Sequence, residues 1–525
     1  MFEGIPYHVT EPADREITYT YNKLGQKTNV TLIDDSSTVL DVDYLYYANG
    51  WLKKVESGTT DFATYTYDPV GIRTRVDHDN TTFTTHAYDS DPRYRTSSIS
   101  HYRTGDPDVE LEEIIYSERD GAGNPLEMED ASGTTEYTYD MNSRLDEATY
   151  PVQGYVNYNY DWVGNRDDPN ALAFNNADQL TSWPGQHTYD YYGTGSLHRQ
   201  YNSQAVLQKT YAYTGANLLA SVTHAGVTNP SLNEWDADGN RIKFTRSTGG
   251  AYTFVYDTTA GIPAVIEEET PTSTVYYIRE PDGSLIARVE GSVVQYYHFD
   301  DLGSTKLLTS AAGVVTDTYS YDAWGQVTHT GPTEQPYQYV GRLGYHTHYQ
   351  DANLALLQLG VRFYDSEIGR FGQRDLLNYE GWNAFVYGIA TPTSRVDPTG
   401  MKDEDTTTLP TLVKDRSCDC LGYGPLIDAM IRAANRHLKR LITEFSLEKC
   451  PATVVVKCKE DCGTEVCGFA IPYTGKMTIN LAPQCSSAKC LILHELFHAC
   501  GVPGHLWKGQ IRIPGCGENT GFKVG

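Results

Sequence analysis

The stretch YVNYNYDWVGNR, residues 155–166, decides the fold of most of the chain because two patterns meet in it. Its first half alternates aromatic and polar residues with a period of two, which is typical of a half-buried antiparallel strand. In its second half, Asp161 can accept hydrogen bonds from the backbone that follows it, and Gly164 tolerates the positive φ of a tight turn. The stretch therefore predicts a strand that enters a hairpin turn.

Close variants of this phrase recur along the first part of the chain. They are YNKLGQK (21–27), YDPVGIR (67–73), YDMNSRL (139–145), WDADGNR (235–241), FDDLGST (299–305) and YDAWGQV (321–327). Alternating runs such as TEYTYD (135–140) and VVQYYHFD (293–300) lead into the turns. Units of roughly 20 residues cannot bury a face alone and must stack. The repeats predict an all-β architecture, either a β-solenoid or a wrapped antiparallel sheet.

Charge and cysteine content divide the chain near residue 400. Residues 1–401 hold 26 of the 41 Lys and Arg and 55 of the 68 Asp and Glu, a net charge of −29, whereas residues 402–525 carry +2. So acidic a first part repels nucleic acid and anionic membrane, and we expect neither as its direct partner. No apolar run approaches the roughly 20 residues of a membrane span, and the first residues do not form a leader. We therefore expect a soluble protein exported without a visible signal peptide.

The repeats resemble the YD repeats of Rhs proteins, teneurins and the C components of insecticidal toxin complexes. Residues 340–400 are similar to the Rhs-associated core, most clearly in LQLGVRFYDSEIGRF (357–371) and VDPTG (396–400). The resemblance implies that residues 1–339 form a hollow shell of spiralling antiparallel β-sheet and that residues 340–401 plug one end. It also implies a variable C-terminal domain held inside.

The same resemblance implies that the shell cuts its own chain just after the DPxG motif with a pair of aspartates. The matching positions are Asp375 and Asp397, with Arg370 in the adjoining GRF. Two carboxylates within a few ångströms share a proton, so one acts as general acid while the other activates water. The alternative is that Asp397 is an ordinary Asp-Pro turn residue. The chain departs from the family at Leu376, where a proline normally follows the first aspartate.

After the core, residues 402–416 read as a polar linker and residues 417–525 as a separate cysteine-rich domain. All ten cysteines of the chain lie in this tail. That density is typical of a disulfide-bonded secreted domain, although Cys458, Cys462 and Cys467 could instead belong to a structural zinc knot. The tail also carries the periodicity of a helix in 424–445, strands at 453–458 and 476–482, and a last helix in 486–501.

The last predicted helix contains a candidate metal site. His494 and His498 are four residues apart, so both imidazoles project from one face and can share a zinc ion. Glu495, one residue further round, can take a proton from zinc-bound water and act as the general base of peptide hydrolysis. The alternative is a core helix whose histidines face solvent.

This segment resembles the zincin metallopeptidases, in which an edge strand beside the motif helix binds extended peptide. By that resemblance 476–482 is the edge strand, and the third zinc ligand is His505, with Glu518 as the alternative. The metzincin pattern has His at position 504, where this chain has glycine.

Together these features indicate an Rhs-type polymorphic toxin, secreted or at the cell surface, whose toxic domain is a zinc metallopeptidase. We expect a protein or peptide substrate in a target cell and an immunity protein as partners. Two alternatives remain. One is a cell-surface adhesion or carbohydrate-binding scaffold with a disulfide-knotted tail, and the other is a secreted processing metallopeptidase.

Overall fold

The computed structural model describes residues 7–10, 15–89, 94–166, 172–351, 354–375, 383–401, 404–405, 411–414, 453–459, 468–471 and 476–480. The chain divides into two compact units, Met1–Thr406 and Thr407–Gly525, each taken separately below. The division falls five residues after the predicted end of the core. Within the described ranges no helix is long and apolar enough to cross a membrane.

The first long sheet of the first unit has 14 strands in chain order, and each described pair is antiparallel. Its strands are β1 (Tyr7–Thr10), β2 (Arg15–Tyr21), β3 (Lys27–Asp34), β4 (Ser37–Tyr46), β5 (Leu52–Ser57), β6 (Thr60–Tyr67), β7 (Arg73–Asp77), β8 (Thr82–Tyr88), β9 (Thr96–Arg103), β10 (Val109–Arg119), β11 (Pro125–Asp130), β12 (Gly133–Tyr139), β13 (Leu145–Tyr150) and β14 (Gly154–Asn157).

The second long sheet has 16 strands with the same meander order. They are β15 (Ala173–Phe174), β16 (Leu180–Trp183), β17 (His187–Tyr191), β18 (Leu197–Asn202), β19 (Leu207–Tyr213), β20 (Leu219–His224), β21 (Ser231–Trp235), β22 (Arg241–Thr245), β23 (Ala251–Asp257), β24 (Ala264–Glu269), β25 (Thr274–Arg279), β26 (Leu285–Glu290), β27 (Val293–Phe299), β28 (Thr305–Ser310), β29 (Val315–Tyr321) and β30 (Val327–Thr330). Because each described strand pairs with its chain neighbour, the wrapped antiparallel sheet is correct and the solenoid alternative is wrong.

The core segment adds two small sheets. One contains β31 (His346–Thr347), β32 (Leu357–Leu359), β33 (Arg362–Asp365) and β34 (Arg370–Phe371), and the other pairs β35 (Arg395–Val396) with β36 (Glu404–Asp405). Two single 3-10 turns, Gly341–Leu343 and Gly388–Ala390, are the helical elements of the described residues.

The predicted turn chemistry is confirmed. Asp68 Oδ1 accepts hydrogen bonds from the N–H groups of Val70 at 3.0 Å and Ile72 at 2.8 Å, and Gly71 has φ +96°. The same pair of bonds recurs at Asp140, Asp161, Asp236 and Asp322. Pairing shifts by one residue at the turns of Asp68, Asp140 and Asp236, each of which is a hairpin turn closed by a β-bulge.

Several of these phrases begin with a tyrosine that ties its unit to the preceding one. Its hydroxyl donates to the backbone carbonyl that follows the previous turn, as in Tyr67 to Leu52 at 2.8 Å and Tyr160 to Leu145 at 2.7 Å. Tyr88, Tyr256 and Tyr321 make the same bond to Arg73, Arg241 and Thr305, and the indole N–H of Trp235 makes it to Leu219. A phenylalanine would fill the same space without this bond.

The two long sheets share a core that includes Ile17, Val30 and Tyr65 from one sheet and Ile266 and Ile278 from the other. Ion pairs also join them, namely Lys27 to Asp257 at 2.5 Å, Arg73 to Glu280 at 2.6 Å and Lys306 to Asp130 at 2.6 Å. The Lys27–Asp257 and Lys306–Asp130 pairs are buried, so removing one partner of either would leave a buried charge uncompensated.

The second unit contains a four-stranded mixed sheet of β37 (Thr411–Lys414), β38 (Thr453–Lys459), β39 (Gly468–Ile471) and β40 (Lys476–Asn480), in the order β37-β38-β40-β39. Strands β38 and β40 match the two strands predicted from sequence. Strand β37 lies inside residues 402–416, which the sequence predicts to be a linker, and the bounds of that linker stay a prediction. The assignment of 476–482 as an edge strand is wrong, because β40 pairs with β38 in parallel and with β39 in antiparallel orientation. The predicted helices lie outside the described residues.

Candidate functional site

The two aspartates predicted to act together meet at one arginine of β33. Arg362 Nη2 lies 2.7 Å from Asp397 Oδ2 and 3.2 Å from Asp375 Oδ2. Both distances are measured from the same nitrogen. Asp375 Oδ2 and Asp397 Oδ2 are therefore separated by no more than the sum of these two distances. The guanidinium also packs on the Phe371 ring, 3.6 Å from its centroid. The prediction that Asp375 and Asp397 lie together is consistent with this arrangement.

Asp397 is completely buried and begins the turn that ends the core segment. Its carbonyl accepts the N–H of Gly400 at 3.2 Å, and its Oδ1 accepts the N–H of Met401 at 3.1 Å. The nitrogen of Met401 belongs to the Gly400–Met401 peptide bond. Asp397 is therefore both a turn residue and a member of a carboxylate pair, so the two alternatives drawn from the sequence are compatible.

Glycine is required at position 400 for steric reasons. Gly400 has φ +65°, and a Cβ there would collide with the carbonyl oxygen of Leu359 and approach the backbone nitrogen of Arg362. The turn between β32 and β33 also contacts this segment, because Val361 donates its N–H to the Thr399 carbonyl at 3.2 Å. The DPTG turn is thus pressed against the β32–β33 hairpin, which brings Asp397 to Arg362.

Asp375 is placed through its backbone. Its N–H donates to the carbonyl of Ala384 at 3.0 Å, and the same oxygen accepts a bond from Arg362 Nη1 at 3.2 Å. The side chain of Asp375 is 15% exposed, whereas that of Asp397 is 0% exposed. Solvent therefore reaches the pair from the Asp375 side.

Arg370, which the sequence associated with the pair, lies elsewhere. Its guanidinium donates to Asn165 Oδ1 at 2.8 Å and to the Asp178 carbonyl at 2.5 Å, so it ties the core segment to the repeat region. Arg362 is the arginine of the site, and sequence analysis missed it. The signal was present, because Arg362 lies in the same quoted core motif as Arg370.

Two buried tyrosines complete the surroundings of Asp397. Its backbone N–H donates to the Tyr345 hydroxyl at 2.5 Å, and the hydroxyls of Tyr345 and Tyr387 are 3.0 Å apart. Burial, and then the nearby Asp397 charge, raise the pKa of Tyr345 well above its usual value. The phenol therefore stays neutral, and Arg362 is the cation that both carboxylates contact.

The candidate zinc ligands His494, His498, His505 and Glu518, and the candidate base Glu495, lie outside the described residues. Within the part of the chain that the structure describes, no group of three or more His, Cys, Asp or Glu side chains is arranged to hold a metal ion. The zinc site stays a prediction.

The teneurin YD-shell family model matches residues 118–394, more than half of the chain. The chain belongs to the teneurin YD-shell family. The matched range includes Arg362 and Asp375 and ends three residues before Asp397. The tail that follows residue 401 lies outside it.

Curated relatives of this YD-shell chain are much longer proteins. The chain is 26% identical over 325 residues to the double-stranded DNA deaminase toxin A of Burkholderia cenocepacia, covering 54% of this chain and 22% of the relative. It is 25% identical over 288 residues to the tRNA3(Ser)-specific nuclease WapA of Bacillus spizizenii, covering 50% of this chain and 12% of the relative. The YD-shell chain spans less than a quarter of either.

Solved structures confirm the shell fold. The complex TcdB2-TccC3-TEV matches with a TM-score of 0.53, and TcdB2-TccC3-Cdc42 with a TM-score of 0.52. Each match covers 74% of this chain and 22% of the solved chain at 16% identity. At that identity the likeness establishes the YD-shell fold and carries no further argument.

Proposed function

We propose that the chain is a toxin shell that cuts itself after its core segment and carries a zinc-dependent peptidase as its toxic domain. The observation that carries the self-cleavage is the contact of Asp397 with both Arg362 and the Met401 nitrogen. The names of the relatives, a nuclease and a deaminase toxin, support an enzymatic toxic domain.

We assign a role to each carboxylate on the basis of its exposure and its contacts. Asp375, on the solvent side, takes a proton from water, and the oxygen of that water adds to the carbonyl carbon of the scissile bond. Asp397, whose Oδ1 faces the Met401 nitrogen, acts as the general acid and donates a proton to the departing nitrogen. The C–N bond breaks, the shell gains a carboxylate, and the tail gains an amine. Arg362 offsets the remaining negative charge and holds both side chains in place.

The test compares the unmutated chain with Asp397→Asn, Asp375→Asn and the control Glu367→Gln, an exposed residue of the same segment. Denaturing gels and mass measurement should find a cut at Gly400 or Met401 in the unmutated and control chains and none in the Asn variants. Asparagine keeps the oxygen that accepts the Met401 N–H, so the turn survives while acid–base chemistry is lost. An unmutated chain that stays intact for days between mildly acidic and neutral pH would overturn self-cleavage.

The peptidase proposal rests on His494, Glu495 and His498 and on the sheet that precedes them. Strand β39 has one neighbour among the described strands, so its other edge can pair with an extended peptide. It thereby takes the role that the sequence assigned to 476–482. Bound zinc would supply a water of lowered pKa, and Glu495 would hold and transfer its proton.

Metal analysis of the full chain tests this site. We expect bound zinc in the unmutated protein and its loss in the His494→Ala, His498→Ala double variant. Zinc retained by that variant would assign the metal to the cysteines and overturn the peptidase proposal. His505→Ala should weaken zinc binding more than Glu518→Ala, because losing a direct ligand exceeds the roughly 10–100-fold effect of losing an outer-shell partner.

Activity is tested separately from metal. Glu495→Gln should keep the zinc and lose peptide hydrolysis and toxicity to a susceptible host, because the amide cannot take the proton. The expected immunity protein would restore viability of cells that make the unmutated tail. Hydrolysis that survives in Glu495→Gln would contradict the proposed role of this residue.

A further inference from the structure

The chain pairs with itself across the proposed cut. Strand β35 ends at Val396, directly before Asp397, and β36 begins at Glu404, three residues after Met401. The two strands are antiparallel, with Arg395 opposite Asp405 and Val396 opposite Glu404. Both belong to the compact unit that ends at Thr406, so the first residues after the cut are part of the shell unit.

Strand β35, the partner of β36, is held in place by its own contacts with the core segment. Val396 is 2% exposed and belongs to the buried cluster beneath the core segment. The N–H of Arg395 donates to the Thr391 carbonyl at 3.0 Å. The next residue, Asp397, is held through its backbone by Tyr345 and through its side chain by Arg362. Whatever pairs with β35 is therefore held at a defined distance from the carboxylate pair.

We infer that Glu404–Asp405 is a positioning segment for self-cleavage, which presents the scissile bond to Asp375 and Asp397 by closing a hairpin around it. The inference rests on the proposed self-cleavage. On the N-terminal side of the scissile bond, the DPTG turn already fixes Gly400 against the β32–β33 hairpin. On its C-terminal side, the pairing of β36 with β35 holds the chain at a second point within the described residues. Holding a reacting bond from both sides removes orientational freedom that would otherwise slow an intramolecular reaction.

The length of the pairing gives it a second property. Two residues on each strand provide very few backbone hydrogen bonds, and so short a pair is not stable on its own. In the uncut chain the pairing is intramolecular and is supported by the covalent connection. Once the bond breaks, that support is lost, so the same segment that promotes the cut holds the severed end only weakly.

Proline substitution tests the backbone pairing, because proline lacks the N–H that a ladder requires. The full-length double variant Glu404→Pro, Asp405→Pro is compared with the double variant Glu404→Ala, Asp405→Ala, which keeps both N–H groups. Thr408→Pro is the matched proline control outside β36. The first-order rate of fragment appearance is measured on denaturing gels, and the cut is located by mass. Thermal unfolding of each variant confirms an intact shell.

Proline in β36 should slow the cut by about threefold to tenfold for each hydrogen bond removed, whereas the alanine double variant and Thr408→Pro should cut at the unmutated rate. Equal rates in the proline and unmutated chains would overturn the positioning role while leaving self-cleavage intact. A slow alanine double variant would also overturn it, because side chains rather than pairing would then be responsible. If the unmutated chain never cuts, the proposed self-cleavage fails first.

Discussion

Two turns with the same sequence pattern differ in how deeply their side chains are buried. Asp161 and Asp322 each accept two backbone N–H bonds of 2.8 and 3.0 Å within their own turns, so the backbone geometry of the two turns is the same. Trp162 follows the first aspartate and is fully exposed, whereas Trp324 in the second turn is 2% exposed. The motif therefore specifies the turn, whereas burial of the turn depends on contacts with another part of the chain.

The covering of Trp324 comes from the core segment. The Tyr364 hydroxyl donates to the Trp324 carbonyl at 2.8 Å, and Gly369 is so close that an added Cβ would lie 2.6 Å from the indole. The guanidinium of Arg166 lies 5.2 Å from the same ring. This comparison predicts that identical substitutions in the two turns have different consequences.

The largest difference is expected for tryptophan. Trp324→Ala should lower the free energy of unfolding by about 3–5 kcal/mol, because it leaves a cavity between the repeat region and the core segment. Trp162→Ala removes an exposed ring and should change it by less than about 0.5 kcal/mol. Denaturant unfolding of both variants measures the two values. Equal losses would mean that the indole of Trp324 is not what joins the core segment to the turn.

The turn glycines should differ by less. Gly164 has φ +84° and an open surrounding, so Gly164→Ala should cost about 1 kcal/mol of unfolding free energy for the strained backbone alone. Gly325 has φ +91°, and its Cβ would lie 2.6 Å from the Tyr339 ring. Overpacking adds about 1–3 kcal/mol, so Gly325→Ala should cost about 2–4 kcal/mol. Similar midpoints for the two variants in thermal or urea unfolding would contradict this ranking.

The smallest effect is a change in pH dependence. Burial raises the pKa of Asp322 to about 6, so between pH 4 and 6 the folded chain holds a proton that the unfolded chain has lost. The free energy of unfolding therefore falls as pH rises through that window. Asp322→Asn should reduce this fall by about 1–2 kcal/mol, less than the full shift implies because the carboxyl group is partly exposed. The matched control is Asp161→Asn, and a pH profile unchanged by Asp322→Asn would sink the assignment.

The sequence was sufficient for local structure and insufficient for long-range contacts. Asp161 and Gly164 predicted their turn because the hydrogen bonds and positive φ involve neighbours within four residues. The pairing of Lys27 with Asp257 spans 230 residues and leaves no trace in either local pattern. The same holds for the burial of Trp324.

The sequence likewise predicted only part of the candidate site. The resemblance identified Asp375 and Asp397 and named Arg370 beside them, whereas the arginine that contacts both is Arg362. Arg362 lies in the four-residue strand β33, and its contact with Asp397 depends on the turn packing of Gly400, which the local sequence does not reveal. The strand Gly468–Ile471 was missed because its four residues are too few for a period to show.

The tyrosine hydroxyl bonds that tie each unit to the preceding one make the size of the shell adjustable. Because the Tyr67 hydroxyl bonds to the backbone carbonyl of Leu52, a group that any residue supplies, the bond can re-form when a whole unit is gained or lost. A chain built in this way can change its number of strands in steps of one unit while its turns and its core segment stay the same. The number of strands then becomes a property that evolution can alter by duplication, while Arg362 keeps its contacts with Asp375 and Asp397.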